Sequence, residues 1–198
     1  TYGSGIYVGK ATGFIVEEST VNSNLSSTAD DYGITIYNSG KLDNRVYKNY
    51  LFDQTVGTLA QGVNRSPGWM EGLQFLCNEY TNNETAIDVE AASPMTEGIR
   101  DRQGDFNPTK TAGNKFTNNN LDISNAGNTF VYHYNQTPIE TPSTVQGLVF
   151  LSPEEAPNDC PSSFIFDKPF DALIAGSSDR DSLLSKRAAL DSTMITLE

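Results

Sequence analysis

Positive charge is scarce in this sequence. Lys and Arg together number 13 against 25 Asp and Glu in 198 residues, which gives a formal net charge of -12. Neutralising phosphates with Lys and Arg is the main source of affinity for nucleic acids, and anionic membranes attract basic segments in the same way. The composition therefore argues against a nucleic-acid partner and against binding to an anionic membrane surface.

Long apolar stretches are missing as well. Only 37% of the residues are apolar, and no run reaches the 18 residues that a membrane-spanning helix needs. No secretory signal pattern stands at Thr1. The abrupt start and the helical pattern at the end read as a mature chain or as a piece of a longer one. We expect no membrane span and a narrow apolar interior.

Residues that would form a common catalytic or metal site are few. The single histidine, His133, has no Ser or Cys partner in a nucleophile motif, and zinc-ligand spacing is absent. Asp101, Asp105 and Asn107 offer oxygen ligands that calcium prefers, but turn chemistry explains the same residues. We therefore predict no catalytic residue, no cofactor and no metal.

Asparagine and glycine are abundant, with 18 and 16 residues, as in a turn-rich β protein. Four similar segments, VEESTV, VYKNYLF, FLCNEY and AGNKF, recur along the chain. Their central polar residues are Ser19, Asn49, Asn78 and Asn114, at spacings of 30, 29 and 36. Because Asn is depleted in ordinary strands, its recurrence in strand-like runs needs a physical reason.

A second motif accompanies the first. Short strands are predicted to open at four glycines, Gly5, Gly33, Gly57 and Gly98, and a third strand is predicted from Ala86 and from Leu121. Two or three short strands per repeat without a crossover helix favour a parallel β-helix, in which each Asn lies at a corner and bonds its equivalents in adjacent coils. A β-sandwich is the alternative for short strands at regular intervals.

These segments also resemble a known family. The runs GIYVGKATGFIVEESTV, YGITIYNSG, NRVYKNYLF and GLQFLCNEYTNN are similar to the right-handed parallel β-helix repeats of large surface and secreted proteins of the Bacteroidota, many of them exported by the type IX route. The resemblance covers about residues 1–135, and the tail NDCPSSF is similar to the segment that comes after the repeats in those proteins. Ser19 in place of Asn and the lack of an apolar residue beside Gly113 depart from the pattern. Such solenoids carry lyases, hydrolases and adhesins alike, so the resemblance implies a fold and an extracellular location more than an activity.

Two cysteines allow one bridge. In the repeat register Cys77 occupies the position of the charged residues Glu18 and Lys48, so we expect it to face outward. A tail that folds back along the outside would bring Cys160 to it. We predict a Cys77–Cys160 disulfide and an oxidising compartment, with two free thiols in a cytosolic protein as the alternative.

The repeat fades after Tyr134. We predict three regions: a parallel β-helix over residues 1–152, a linker packed on the solenoid over 153–177, and a C-terminal helix over 178–198. Ser178 is the expected N-cap of that helix, and Leu183, Leu190, Met194 and Leu197 share one face. The helix either docks on the solenoid or binds a partner.

For function, we expect a non-catalytic extracellular or cell-surface solenoid segment of a large secreted protein, used for structural display or adhesion. Its partner would be a polysaccharide or another surface protein, and further coils or a partner chain would cover its N-terminal end. Trp69, in the longest insertion, is a candidate sugar platform, and Asn24, Asn83 and Asn135 begin N-x-Ser/Thr sequons. The alternatives are a carbohydrate-active enzyme, either a pectate-lyase-like polysaccharide lyase or a glycoside hydrolase, and an intracellular binding module.

Overall fold

The computed structural model describes residues 3–23, 31–66, 71–93, 96–104 and 110–162. Strands are the only regular elements in this part of the chain. The fourteen strands are β1 Gly3–Gly9, β2 Ile15–Glu17, β3 Thr20–Asn22, β4 Asp31–Tyr37, β5 Asn44–Tyr47, β6 Tyr50–Phe52, β7 Val56–Gln61, β8 Leu73–Leu76, β9 Glu79–Thr81, β10 Thr85–Glu90, β11 Arg102–Gln103, β12 Lys115–Thr117, β13 Leu121–Asn135 and β14 Val145–Glu154.

From β1 to β10, successive strands are distributed over three sheets in rotation. The first strands of the repeats form a seven-stranded sheet A in the order β1-β4-β7-β10-β13-β11, with β14 also paired to β13. The second strands form sheet B in the order β2-β5-β8, and the third form sheet C in the order β3-β6-β9-β12. We call one passage through the three sheets a coil. Apart from β13 and β14, which are consecutive in sequence and paired, strands pair with their equivalents in the next coil and not with their neighbours in sequence.

Every pairing between named strands is parallel in the described residues. This arrangement differs from a β-sandwich, whose sheets are antiparallel. The chain is all-β, with parallel strands in stacked sheets, and this architecture is compatible with a parallel β-helix.

The glycine motif is placed correctly for three of its four members. Ile6, Ile34 and Thr58, which follow Gly5, Gly33 and Gly57, are aligned across β1, β4 and β7. Gly98 lies instead at a bend, bridged to Val63, where its backbone has a φ of 120°. An added Cβ there would meet the Asn128 side chain, so this glycine serves a close approach and does not open a strand.

The segments predicted as third strands belong to the first sheet. The strand that contains Ala86 is β10 and the strand that begins at Leu121 is β13, and both extend sheet A beyond β7. The prediction was wrong because each repeat already has its third strand immediately after the Asn, in the short segments of sheet C.

Apolar columns from all three sheets fill the interior. In sheet C this column contains Val21, Leu51, Tyr80 and Phe116, and the Tyr80 and Phe116 rings stack with centroids 5.7 Å apart. Each of these side chains covers the one in the coil below, so a small number of residues per coil suffices. Full burial of one such side chain contributes about 1.5–3 kcal/mol, which makes a narrow core adequate for a chain with few apolar residues.

The last two strands are longer than the others. The partners of β13 and β14 are regular from Ile123–Val145 to Asn125–Gly147, and they resume at Phe130–Val149 after a register shift. Strand β14 ends at Glu154, two residues beyond the predicted limit of the β region at residue 152. By its contacts the chain divides into the units Thr1–Cys160 and Pro161–Glu198. The helix predicted over 178–198 lies outside the described residues, as does the linker beyond residue 162.

Candidate functional site

Four polar residues occupy the corner between sheets B and C, one in each of four coils. The backbone N–H of Ser19 donates to Asn49 Oδ1 over 3.0 Å, that of Asn49 donates to Asn78 Oδ1 over 3.0 Å, and that of Asn78 donates to Asn114 Oδ1 over 2.9 Å. All three Asn side chains are buried. The structure therefore brings together the four residues that the repeat singled out, stacked one coil apart.

Each Asn also satisfies a carbonyl that the corner removes from the sheet ladder. The Nδ2 groups of Asn49, Asn78 and Asn114 donate to the carbonyls of Val16, Val46 and Phe75 at 2.8–2.9 Å. A buried backbone group without a partner costs about 1–3 kcal/mol. One primary amide thus serves both an N–H and a C=O, which a shorter or apolar side chain cannot do.

The residue before each of these positions bends the chain. Glu18, Lys48, Cys77 and Gly113 have φ values of 52°, 54°, 59° and 65°, in the left-handed region. Strands β2, β5 and β8 end just before this residue, and β3, β6 and β9 begin just after the Asn or Ser. The Asn in VYKNYLF therefore lies between two short strands and not within one, which removes the conflict with strand propensity.

A second polar stack, at the corner between sheets C and A, was not predicted. It contains Gln54, Asn83 and Asn119, with backbone N–H of Gln54 donating to Asn83 Oδ1 and that of Asn83 donating to Asn119 Oδ1, both at 3.0 Å. The signal was present in the sequence, because each member follows a first-stack Asn by five residues in NYLFDQ, NEYTNN and NKFTNN.

Asparagine also marks the third corner, between sheets A and B. The Oδ1 atoms of Asn44, Asn64 and Asn128 accept backbone N–H groups of Gly13, Ser39 and Ile99 at 2.7, 2.8 and 2.9 Å. These three side chains are buried. The abundance of Asn thus has a structural cause, since all three bends of the coil use side-chain amides as backbone partners.

Cys77 and Cys160 form a disulfide, with their Cα atoms 5.6 Å apart. Asn158 Nδ2 donates to the Thr111 carbonyl over 2.9 Å, so the residues before Cys160 are held on the coil next to the bridge. At Gly113, one coil beyond Cys77, an added Cβ would lie 2.9 Å from Cys160 Sγ. Glycine at this left-handed position therefore leaves room for the bridge.

The outer wall of sheet C carries aligned side chains from four strands. We call it the sheet C wall. Its side chains form two columns, Thr20, Tyr50, Glu79 and Lys115 in one and Asn22, Phe52, Thr81 and Thr117 in the other. Lys115 Nζ lies 2.7 Å from Glu79 Oε1, and this hydrogen bond raises the pKa of Lys115. Tyr50 and Phe52 are partly exposed and lie on the same side of β6.

His133 has a carboxylate partner that the sequence did not reveal. Its Nδ1 lies 2.7 Å from Glu154 Oε1, and Ser152 Oγ donates to the same oxygen over 3.1 Å. His133 Nε2 is buried and has no hydrogen-bond partner. Activation of a serine nucleophile requires a Ser–His hydrogen bond, and Ser152 bonds the carboxylate instead. The trio joins β13 to β14.

Of the three residues considered for calcium, Asp101 lies in the described part of the chain. Asp101 pairs with Arg65 over 3.3 Å and accepts a hydrogen bond from Asn128 Nδ2 over 2.8 Å, while Asp105 and Asn107 lie outside the described residues. In the described ranges no group of three or more His, Cys, Asp or Glu side chains is arranged to hold a metal ion.

Burial shifts the protonation of several interior groups. It raises the pKa of the Glu140 carboxyl, with Lys115 partly offsetting the shift. Burial also raises the pKa values of the Tyr80 and Tyr132 phenols, whose hydroxyls face Thr58 and Asn114. These groups support the interior from positions closed to a large substrate.

Asn83 and Asn135, which each begin a sequon, have structural roles. Asn83 belongs to the second polar stack, and Asn135 is buried and donates to the Glu155 carbonyl over 3.2 Å. In the folded chain neither side chain is accessible for glycan attachment. Asn24 and Trp69 lie outside the described residues.

Comparisons with known proteins found no matching family model, no matching curated protein and no matching solved structure. In the part of the chain that the structure describes, no helix is long and apolar enough to cross a membrane.

Proposed function

We propose that the chain is a segment of a right-handed parallel β-helix of the kind that large surface and secreted proteins of the Bacteroidota carry, and that it has no catalytic activity of its own. Its role is structural display or adhesion outside the cell or at the cell surface, as part of a larger secreted protein. Short strands alternate with corners along the chain, and this pattern supports the assignment.

The observation that carries the proposal is the presence of buried polar side chains at all three corners. Each bend is held by buried amides that bond the backbone of the adjacent coil, so that bending one coil requires breaking bonds to its neighbours. Such a wall is rigid along its length, which suits a spacer that presents a surface at a distance. The Cys77–Cys160 bridge supports an oxidising, extracellular compartment.

The sheet C wall is the surface that we assign to adhesion. Tyr50 and Phe52 project from one short strand with Asn22 and Thr81 on the flanking strands. Flat aromatic faces pack on sugar rings, and amide and hydroxyl groups bond sugar hydroxyls. A polysaccharide is therefore the ligand class that this wall fits best.

A glycan array combined with turnover assays on acidic polysaccharides tests the proposal. We expect binding without cleavage, lost in the double variant Tyr50→Ala, Phe52→Ala and retained in Tyr7→Ala, which removes an exposed tyrosine from sheet A. Cleavage of any substrate, as a lyase or a glycoside hydrolase would show, contradicts the non-catalytic role. Binding that persists in the double variant contradicts the assignment to the sheet C wall.

A further inference from the structure

The described stack has two open edges. Strand β1 pairs with β4 and strand β14 with β13, and neither has a second strand partner in the described residues. Exposed apolar side chains gather at both edges. Phe150 is 64% and Leu148 62% exposed on β14, while Tyr7 is 60% exposed on β1 and Ile15 51% exposed on β2. An exposed edge strand with apolar side chains is a template for pairing with another chain.

The two edges belong to one continuous ladder. The register of sheet A follows a single column through six coils, which consists of Ile6, Ile34, Thr58, Ile87, Ile123 and Val145. Ile6 and Val145 are thus the two ends of one inward-facing column. In a strand added to β14 in the same register, the residue over Val145 should be apolar. In β1 the residue at this position is Ile6, which is apolar.

A second line of residues shows the same correspondence. Ile15 on β2 begins a column in sheet B that continues to Arg45 and Gln74, and Phe150 on β14 ends one that contains Arg102 and Val131. The two series meet where Gln74 Nε2 donates to the Arg102 carbonyl over 3.1 Å. Ile15 and Phe150, exposed apolar residues at opposite edges, therefore lie on the same line along the stack.

We propose that the β14 edge of one copy binds the β1 edge of a second copy, head to tail, so that the parallel ladder continues from one molecule into the next. This inference rests on the parallel stack proposed above. Because all strand pairs are parallel, a second copy shifted along the stack presents β1 to β14 in the required direction. Ile6 then covers Val145, Ile15 covers Phe150, and Val16 covers Leu151.

The contact is heterologous, since each copy uses two different surfaces. Such a contact does not close on itself and generates chains of increasing length. The net charge of -12 on every copy opposes this association, and added salt screens the repulsion. We therefore expect the assembly to grow with protein concentration and with ionic strength.

The proposal is tested by analytical ultracentrifugation of the full chain. Concentrations up to about 1 mM make weak complexes detectable. Wild type should form a series of dimers and longer species. Phe150→Asp blocks the β14 edge and Ile15→Asp blocks the β1 edge, so each variant alone should be a monomer. An equimolar mixture of the two keeps one intact edge of each kind, and it should form a dimer and nothing longer.

Leu42→Asp is the matched control, because Leu42 is 51% exposed but lies between β4 and β5, away from both edges. This variant should assemble like wild type. A single variant that dimerises on its own would indicate contact between like edges and would overturn the proposal. A wild type that stays monomeric at all concentrations overturns it as well, and so does a mixture that fails to recover the dimer. Far-ultraviolet circular dichroism of each monomer separates this failure from failure of the fold itself.

Discussion

At the scale of single residues, the primary amide is the unit that makes this architecture possible. Asn supplies a carbonyl and an NH₂ group within one short side chain, so that it can bond both an N–H and a C=O of the adjacent coil. Asn49 and Asn78 do this in the first stack and Asn83 does it in the second. Ser19, the departure from the repeat, donates its backbone N–H to Asn49 Oδ1, and its hydroxyl donates to the Glu17 carbonyl of its own coil.

The strongest residue-scale prediction concerns Asn78. Replacing it by Ala leaves the buried Asn49 N–H and the Val46 carbonyl without their partners. We expect Asn78→Ala to lower the free energy of unfolding by about 2–6 kcal/mol, at about 1–3 kcal/mol for each orphaned group. Urea unfolding followed by circular dichroism measures the loss.

The control is Asn22→Ala, an exposed Asn on β3 that should change the free energy of unfolding by less than about 0.5 kcal/mol. Equal effects of the two variants would mean that the stack has no special role in stability.

Glu140 gives a pH-dependent prediction. Burial raises the folded-state pKa of this carboxyl above its ordinary value of 4.5. Between these two pKa values the folded state binds more protons than the unfolded state, so Glu140 lowers stability as pH rises through that window. Glu140→Gln removes this loss. Thermal unfolding should show the variant more stable than wild type at pH 7, with the difference vanishing below pH 4.5.

A variant that is less stable than wild type at pH 7, or a difference that does not depend on pH, would contradict this account of Glu140. Glu155→Gln, at an exposed carboxyl, is the matched control and should leave the pH profile unchanged.

At the scale of elements, the repeat is easier to predict than its boundaries. The Asn column could be predicted from the spacing, because a polar residue recurs in four similar sequence segments. The second stack was harder to predict, because Gln54 replaces Asn in the coil of β4, β5 and β6 and the later Asn pairs look like ordinary turns. Gly98 was misplaced because insertions before and after it shift the repeat. The His133–Glu154 pair depends on the register of β13 against β14, across a shift that no local pattern announces.

The disulfide is the element-scale device that can be tested alone. It links two residues that are 83 positions apart in the sequence and attaches the segment after β14 to the coil that contains β8. A native bridge of this kind contributes about 2–4 kcal/mol. We expect the double variant Cys77→Ser, Cys160→Ser to lose that amount in urea unfolding, and reduced wild type to match it.

Thiol titration of the unreduced, denatured protein provides the complementary test. No reactive thiol is expected. Two reactive thiols per chain would contradict the bridge and the oxidising compartment inferred from it.

At the scale of the whole molecule, the chain balances a thin core against many internal hydrogen bonds. Its apolar side chains are aligned in columns, and the polar groups at its corners have hydrogen-bond partners. Its net negative charge opposes the association of copies through their edges. The same stacking explains why a chain with only 37% apolar residues forms a continuous interior. Its parallel pairing links residues about thirty positions apart, which gives a clear signature in solution.

That signature is the most direct test of the account. Nuclear Overhauser effects on an isotope-labelled sample should connect the amide proton of Asn49 with the side-chain amide of Asn78, and that of Asn78 with the side-chain amide of Asn114, across separations of 29 and 36 residues. The same spectra should connect Val21, Leu51 and Tyr80 in sequence. Cross-strand contacts of an antiparallel kind between neighbouring strands, with the Asn side chains far from one another, would contradict it.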